Sequence, residues 1–184
     1  MTEERQNAGE GGKSGQLKIF FGYAAGVGKT YAMLQAALMA EERGMDVVIG
    51  SIAPYRSLED TALAERLRAM ERLEKFDLDQ AIRRKPDLIL MDDLACENPR
   101  GSRHSRRYQD IRELLKAGIS VYTTVSAQNI ESLNDIVTAI TRVPVKDRIP
   151  DSVFDHADQV ELVDLEPREL LERLRDRKST RLNS

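Results

Sequence analysis

The chain has 184 residues, 41% hydrophobic and 32% charged, a balance that suits one soluble globular domain with a sizeable core and not a disordered chain. Its net charge of −3 argues against bulk attachment to nucleic acid or to an anionic membrane. The single cysteine, Cys96, excludes an internal disulfide and fits a reducing cytoplasm, and no apolar run approaches the roughly 18 residues of a membrane span.

Residues 1–15, MTEERQNAGEGGKSG, are polar and Gly-rich with no signal-peptide core, and are expected as a disordered leader. Leu17 to Gly22 reads as a short strand entering a glycine-rich loop. Thr30 to Arg43 is helical and stops at Gly44. Asp46 to Ser51 is the next strand. Thr61 to about Lys75 has Leu63, Leu67, Met70 and Leu73 at helical spacing, and Asp77 to Arg84 adds a short helix ended by Pro86. Asp87 to Met91 is a strand, Ser105 to Ala117 a helix ending at Gly118, and Ile119 to Thr124 a strand. In the helix from Gln128 to Thr141, Ile130, Leu133, Ile136, Val137 and Ile140 share one face. An irregular stretch with Pro144 and Pro150 leads to a strand from Gln159 to Asp164. A last helix is expected over Pro167 to Arg177, with Leu170, Leu171 and Leu174 as its apolar stripe, before a disordered tail at 178–184.

Five strands alternating with helices predict an α/β fold, a P-loop NTPase-like three-layer sandwich around a mostly parallel sheet, over residues 16–177. Ligands of such sheets bind beyond the carboxyl ends of the strands, which directs attention to the residues after Gly22, Ser51, Met91 and Thr124.

The first of these places holds the clearest motif. Gly28-Lys29-Thr30 completes the pattern G-x-x-x-x-G-K-[ST], except that Tyr23 stands five residues before Gly28 where a glycine is required. Main-chain N–H groups from Ala25, Gly26, Val27, Gly28, Lys29, Thr30 and Tyr31 can converge on phosphate oxygens at the positive end of the following helix. Lys29 would reach the terminal phosphates of ATP, and Thr30 would offer its hydroxyl to Mg²⁺. Gly22, one residue early, is the candidate for the flexible exit from the strand.

Asp92 and Asp93 directly follow a buried strand. Asp92 is the better candidate to hold Mg²⁺, a hard cation that prefers oxygen, and Asp93 stands where a carboxylate could activate water. The alternative is a solvated pair at a strand end. Further on, Arg100, Arg103, His104, Arg106 and Arg107 crowd into eight residues, to brace phosphate charge, to meet an acidic partner, or merely to form a solvated basic loop. Thr123, Thr124, Ser126 and Gln128 lie near the same rim, with Ser126 expected to cap the next helix. Neither histidine has a partner at metal-ligand spacing, so a zinc site is not expected.

The segments LKIFFGYAAGVGKTYAMLQAA, FDLDQAI, LILMDDLA, GSRHSRRYQDIRELLKAGISVYTTV, ESLNDIV and RIPDSVFDHADQVELVDL together resemble the N-terminal cytoplasmic domain of the KdpD family of osmosensitive potassium-transport sensor histidine kinases, over residues 16–177. The resemblance implies a P-loop domain that binds ATP and modulates a membrane-bound sensor kinase, with a cognate response regulator as signalling partner. It places Gly26 to Thr30 in the family's ATP loop and Asp92 at its acidic strand end. The sequence departs from the family at Tyr23, where a small residue is usual, and at Asp93, where Glu is. It also departs at Ala53 to Ser57, which replace a Glu-Thr-His-Gly-Arg segment, and at Cys96 and Asn129, where histidines are usual. The family's stress-protein-like module, membrane helices and kinase core are absent from these 184 residues, as expected of a stand-alone form or an excised domain.

Three functions compete. A cytoplasmic regulatory module would bind Mg-ATP with little turnover and pass its occupancy to the rest of a kinase or to a response regulator, with a homodimer left open. A working ATPase or small-molecule kinase would use Asp93 to orient the nucleophile. A protein-interaction domain would have lost its nucleotide, with Tyr23 plugging the loop.

Overall fold

The structure, a computed structural model, describes residues 12–52 and 62–164. Five strands form one sheet: β1 (Leu17–Gly22), β2 (Val47–Ser51), β3 (Leu88–Met91), β4 (Ser120–Ser126) and β5 (Gln159–Leu162). Their order is β2-β3-β4-β1-β5, and every pairing is parallel. The helices between them are α1 (Lys29–Glu42), α2 (Ala62–Ala69), α3 (Leu78–Arg84), α4 (Arg107–Lys116), α5 (Glu131–Thr141) and α6 (Asp151–Asp155).

Alternation along the strands divides the core in two. Phe20, Ile49, Leu88 and Leu90 pack with Met33, Leu34 and Ala37 of α1 on one face. Ile19, Ile89, Val121 and Val125 pack with Ile111 and Leu114 of α4 and with Ile130 and Val153 on the other. All four residues of β3 are 0% exposed, as a strand covered on both faces must be. The α/β three-layer expectation therefore holds, and the sheet is wholly parallel. The chain leaves β1 for the far edge at β2, returns through β3 and β4, and then crosses to β5 on the other side of β1. Connections from β1 and β4 thus depart in opposite directions, which opens a crevice beyond the carboxyl ends of these two neighbours.

Several local expectations are corrected. The helix expected to run to Lys75 ends at Ala69. Glu71 to Leu73 instead run beside β2, with the Ile49 N–H donating to Glu71 O at 2.9 Å and the Leu73 N–H to Ile49 O at 3.0 Å. The chain here straddles the sheet edge: Met70 enters the α1-side core and Leu73 the opposite one, which a single helical face cannot do. Helix α5 begins at Glu131 after a 3₁₀ turn at Ala127–Asn129, and Ser126 makes no side-chain cap to that turn. Of its expected apolar face, Ile130 is buried, but Ile136 and Ile140 are 60% and 78% exposed. The chain is anchored at the start of α5, where Glu131 N–H bonds Ile149 O and Ile149 N–H bonds Asn129 O, and the helix projects from there. The irregular stretch after α5 also contains α6, whose Phe154 meets Phe21 edge-on.

At the amino end, Gly15, counted with the leader, donates its N–H to Leu115 O at 2.8 Å, and Ser14 Oγ bonds the same carbonyl. The Leu115 carbonyl near the end of α4 holds these residues in place. Residues 1–11 of the expected leader, the segment 53–57, the helix over 167–177 and the tail lie outside the described residues.

Candidate functional site

Between β1 and α1 the chain makes the loop 23–28, with Gly26 at φ 82° and Gly28 at φ 92°, left-handed conformations that favour glycine. Gly28 is also the N-cap of α1 and has no side chain to offer, so the helix start receives no side-chain cap. Val27 anchors the loop from beneath at 1% exposure, while Ala25 and Gly26 face solvent. Tyr31 turns inward against the α1-side core, and Gln35 Nε2 donates to its hydroxyl at 3.1 Å.

The displaced glycine of the motif has a physical role. A Cβ at Gly22 would stand 2.5 Å from Val27 Cγ2 and 3.0 Å from Lys29 Cδ. Gly22 is thus what lets the loop fold back over the strand end. Tyr23 is half exposed.

Lys29 is mostly buried, and its Nζ donates to Ala24 O at 2.6 Å within the loop. Burial lowers its pKa, and the charges of Asp92 and Asp93 oppose that shift. Thr30 Oγ1 donates to Asp92 Oδ1 and Oδ2 at 3.0 and 3.2 Å. Thr124 Oγ1, from the intervening strand β4, donates to Asp92 Oδ1 at 2.5 Å and accepts the Asp93 N–H at 3.0 Å. Phosphate loop, acidic strand end and β4 thus meet on one buried carboxylate. Asp93 turns away from the strand with φ 59° and exposes much of its side chain. Partial burial of its carboxyl, and then the charge of Asp92, raise its pKa, with Arg107 opposing.

The basic cluster divides sharply. Arg103 pairs with Asp79 and Glu113, Arg106 with Glu97 and Asp147, and His104 Nε2 with Glu113 at 2.8 Å. These contacts brace the loop before α4, around an open depression of 590 Å³ lined by the loop itself. That depression is separate from the phosphate loop. Asp110 is buried beneath it and accepts from Asn98 Nδ2 at 2.6 Å; burial raises its pKa. Only Arg107 reaches the crevice, donating to Asp92 O and, at 3.0 Å, to Ser51 Oγ. The sequence alone did not separate Arg107 from its neighbours, because its distinction lies in being the first residue of α4. Cys96 is half-buried with its thiol pKa pushed up by burial, so it is a poor nucleophile.

Oxygen donors from one hydroxyl and one carboxylate suit a hard cation that keeps water and phosphate as its other ligands. Among the described residues no cluster of three or more His, Cys, Asp or Glu could hold a metal by itself. No described helix is long and apolar enough to cross a membrane.

Comparison with known proteins agrees with this arrangement of segments. Residues 13–182 match the family model described as KdpD, osmosensitive K⁺ channel His kinase sensor domain. The chain belongs to the KdpD sensor-domain family. The sensor protein KdpD of Clostridium acetobutylicum is 53% identical over 173 residues, and that of Escherichia coli K12 is 47% identical over 173. Each alignment covers 89% of this chain but 19% of the relative. The putative sensor protein KdpD of Synechocystis sp. is 40% identical over 90% of this chain and 47% of its own length. The chain thus spans about a fifth of the first two KdpD relatives. Among solved structures, the flagellar accessory protein FlaH from Methanocaldococcus jannaschii superposes with a TM-score of 0.44 at 13% identity, over 69% of this chain and 68% of that one, a likeness too loose to bear on fold or function.

Proposed function

We propose that this domain binds ATP with Mg²⁺ and acts as a cytoplasmic regulatory input to a potassium-responsive sensor histidine kinase, adjusting the kinase's signalling to its response regulator. The observation that carries the reading is the shared hydrogen bonding of Thr30 and Thr124 to Asp92, beside a lysine folded into a left-handed glycine loop. Lys29 Nζ now rests on a loop carbonyl, a bond that a phosphate oxygen can replace with a charge-assisted one. Thr30 Oγ1 donates its hydrogen bond to Asp92, which leaves its oxygen lone pairs open to a cation. The positive end of α1, which has no side-chain cap, adds to the anion pocket. Bound Mg²⁺ would neutralise phosphate charge next to Asp92.

Membership of a sensor-domain family supports the regulatory assignment. Titration calorimetry of ATP with and without Mg²⁺, comparing wild type with Lys29→Ala, tests it. Heat and a thermal shift in wild type that vanish in the variant are expected; at a hundredfold excess over Kd the stabilisation is about 2.7 kcal/mol. Identical behaviour of the two proteins would refute the assignment.

Asp93 favours a second reading, slow hydrolysis or phosphoryl transfer. It is a partly buried carboxylate of raised pKa in a left-handed conformation beside the crevice. Phosphate release from ATP that disappears in Asp93→Asn, with nucleotide affinity preserved, would establish it.

A further inference from the structure

The last ladder bond between β2 and β3 is the Asp92 N–H to Ser51 O, at 2.8 Å. Asp93 follows at positive φ, and the peptide group between the two residues, the Asp92 carbonyl with the Asp93 N–H, bonds side chains in place of ladder partners. Both of its polar ends are thus fixed. Thr124 Oγ1 accepts the N–H, and Arg107 donates to the carbonyl. The other terminal nitrogen of Arg107 bonds Ser51 Oγ, so the planar guanidinium spans the ends of β2 and β3. Its Nε is buried and meets no described group, so the two terminal nitrogens alone secure it. The backbone supports the clamp from behind, with the Arg107 N–H donating to Cys96 O at 3.0 Å.

We propose that Arg107 is a positioning residue for the cation-holding carboxylate: by fixing the 92–93 peptide it sets where Asp92 presents its oxygens, and so governs the Mg²⁺-dependent part of nucleotide affinity. This rests on the Mg-nucleotide reading given above. The Asp92 Cα lies between two held peptide groups, its own N–H bonded to Ser51 O and the 92–93 peptide to Arg107 and Thr124. Holding both fixes the Cα–Cβ direction. Freeing the carbonyl therefore lets the carboxylate swing out of register with Thr30. The role needs a fork of donors in a fixed plane, which Lys cannot supply from one ammonium. Arg100, Arg103 and Arg106 lie on the loop side and carry no such function.

ATP affinity with Mg²⁺ and in EDTA is to be measured on the full chain for wild type, Arg107→Ala, Arg107→Lys and Ser51→Ala. Arg107→Ala and Arg107→Lys are expected to keep the Mg²⁺-free affinity and to lose about 10- to 100-fold of the Mg²⁺-dependent gain. Ser51→Ala, which cuts one arm of the clamp, should lose a smaller part. The inference is overturned if Arg107→Ala retains the whole Mg²⁺ gain, or if it loses Mg²⁺-free affinity equally, which would make Arg107 a direct ligand contact or a general support. Should Arg107→Ala fail to fold, an undiminished gain in both Arg107→Lys and Ser51→Ala overturns it. A wild-type chain that binds no ATP in either condition sinks the nucleotide reading and this inference with it; intact wild-type binding with unaltered variants sinks the inference alone.

Discussion

Thr30 and Asp92, 62 residues apart in sequence, share a buried hydrogen bond that joins the start of α1 to the end of β3. The carboxylate also accepts from Thr124 and lies close enough to Lys29 to oppose the effect of its burial. Asp92→Ala would leave two hydroxyls without their acceptor and remove the larger of the two carboxylate charges that compensate the mostly buried ammonium. We expect a loss of about 1–3 kcal/mol in urea unfolding of the ligand-free protein. An unchanged midpoint would show that the cluster contributes nothing to the ligand-free fold.

The buried ammonium has a consequence in pH. Lys29 titrates below its ordinary 10.5 in the folded protein, chiefly because burial disfavours its charge. Between the lowered value and 10.5 the unfolded chain binds the extra proton, so stability should rise with pH across that window. It should be lowest below the folded value, where the charge is buried at full cost. Lys29→Met should flatten this slope, as read from urea midpoints at successive alkaline pH values.

Asp93 has the opposite sign. Its folded pKa is raised above 3.8, so the native state binds the extra proton and stability falls as pH climbs from 3.8 through the folded value. Asp93→Asn removes that dependence and keeps a residue type that tolerates positive φ. A higher urea midpoint at neutral pH than wild type is expected. A lower one would mean that the carboxylate's charge is satisfied in the fold.

The two residues around the altered motif should behave very differently. Gly22→Ala forces a Cβ against Val27 and Lys29, and a cost of about 1–3 kcal/mol is expected together with weakened ATP binding. Tyr23→Ala trims a half-exposed ring and should change stability by no more than about 0.5 kcal/mol, with ATP affinity kept. Tighter binding after Tyr23→Ala would revive the plugged-loop reading.

Helix α5 offers a test of how far it engages the core. Ile130→Ala, at a buried site, should cost about 2–5 kcal/mol, whereas Ile140→Ser should fall within about 0.5 kcal/mol of wild type. Similar costs at both positions would mean that α5 lies along the sheet for its whole length.

Periodicity located most strands and helices because a strand buried on both faces and a helix with an apolar stripe each leave a local pattern. It failed where the pattern was right and the packing was not. Met70 and Leu73 have helical spacing but enter opposite cores around the sheet edge. Ile136 and Ile140 make an apolar stripe that the helix turns away from the sheet. In the basic segment, Arg103 and His104 share Glu113, Arg106 takes Glu97 and Asp147, and the first residue of α4 found the crevice.

The sequence by itself determined the phosphate-loop motif, the acidic strand end, the α/β alternation and the family resemblance, because each resides in neighbouring residues or in the order of segments. Tertiary structure decided that β4 lies between β1 and β3, and so that Thr124 joins Thr30 on one carboxylate. It also decided that Arg107 closes the end of β3 while its neighbours serve the loop. Strand order and side-chain pairing arise from contacts between residues far apart in the chain, and no local pattern encodes which of several like residues will meet.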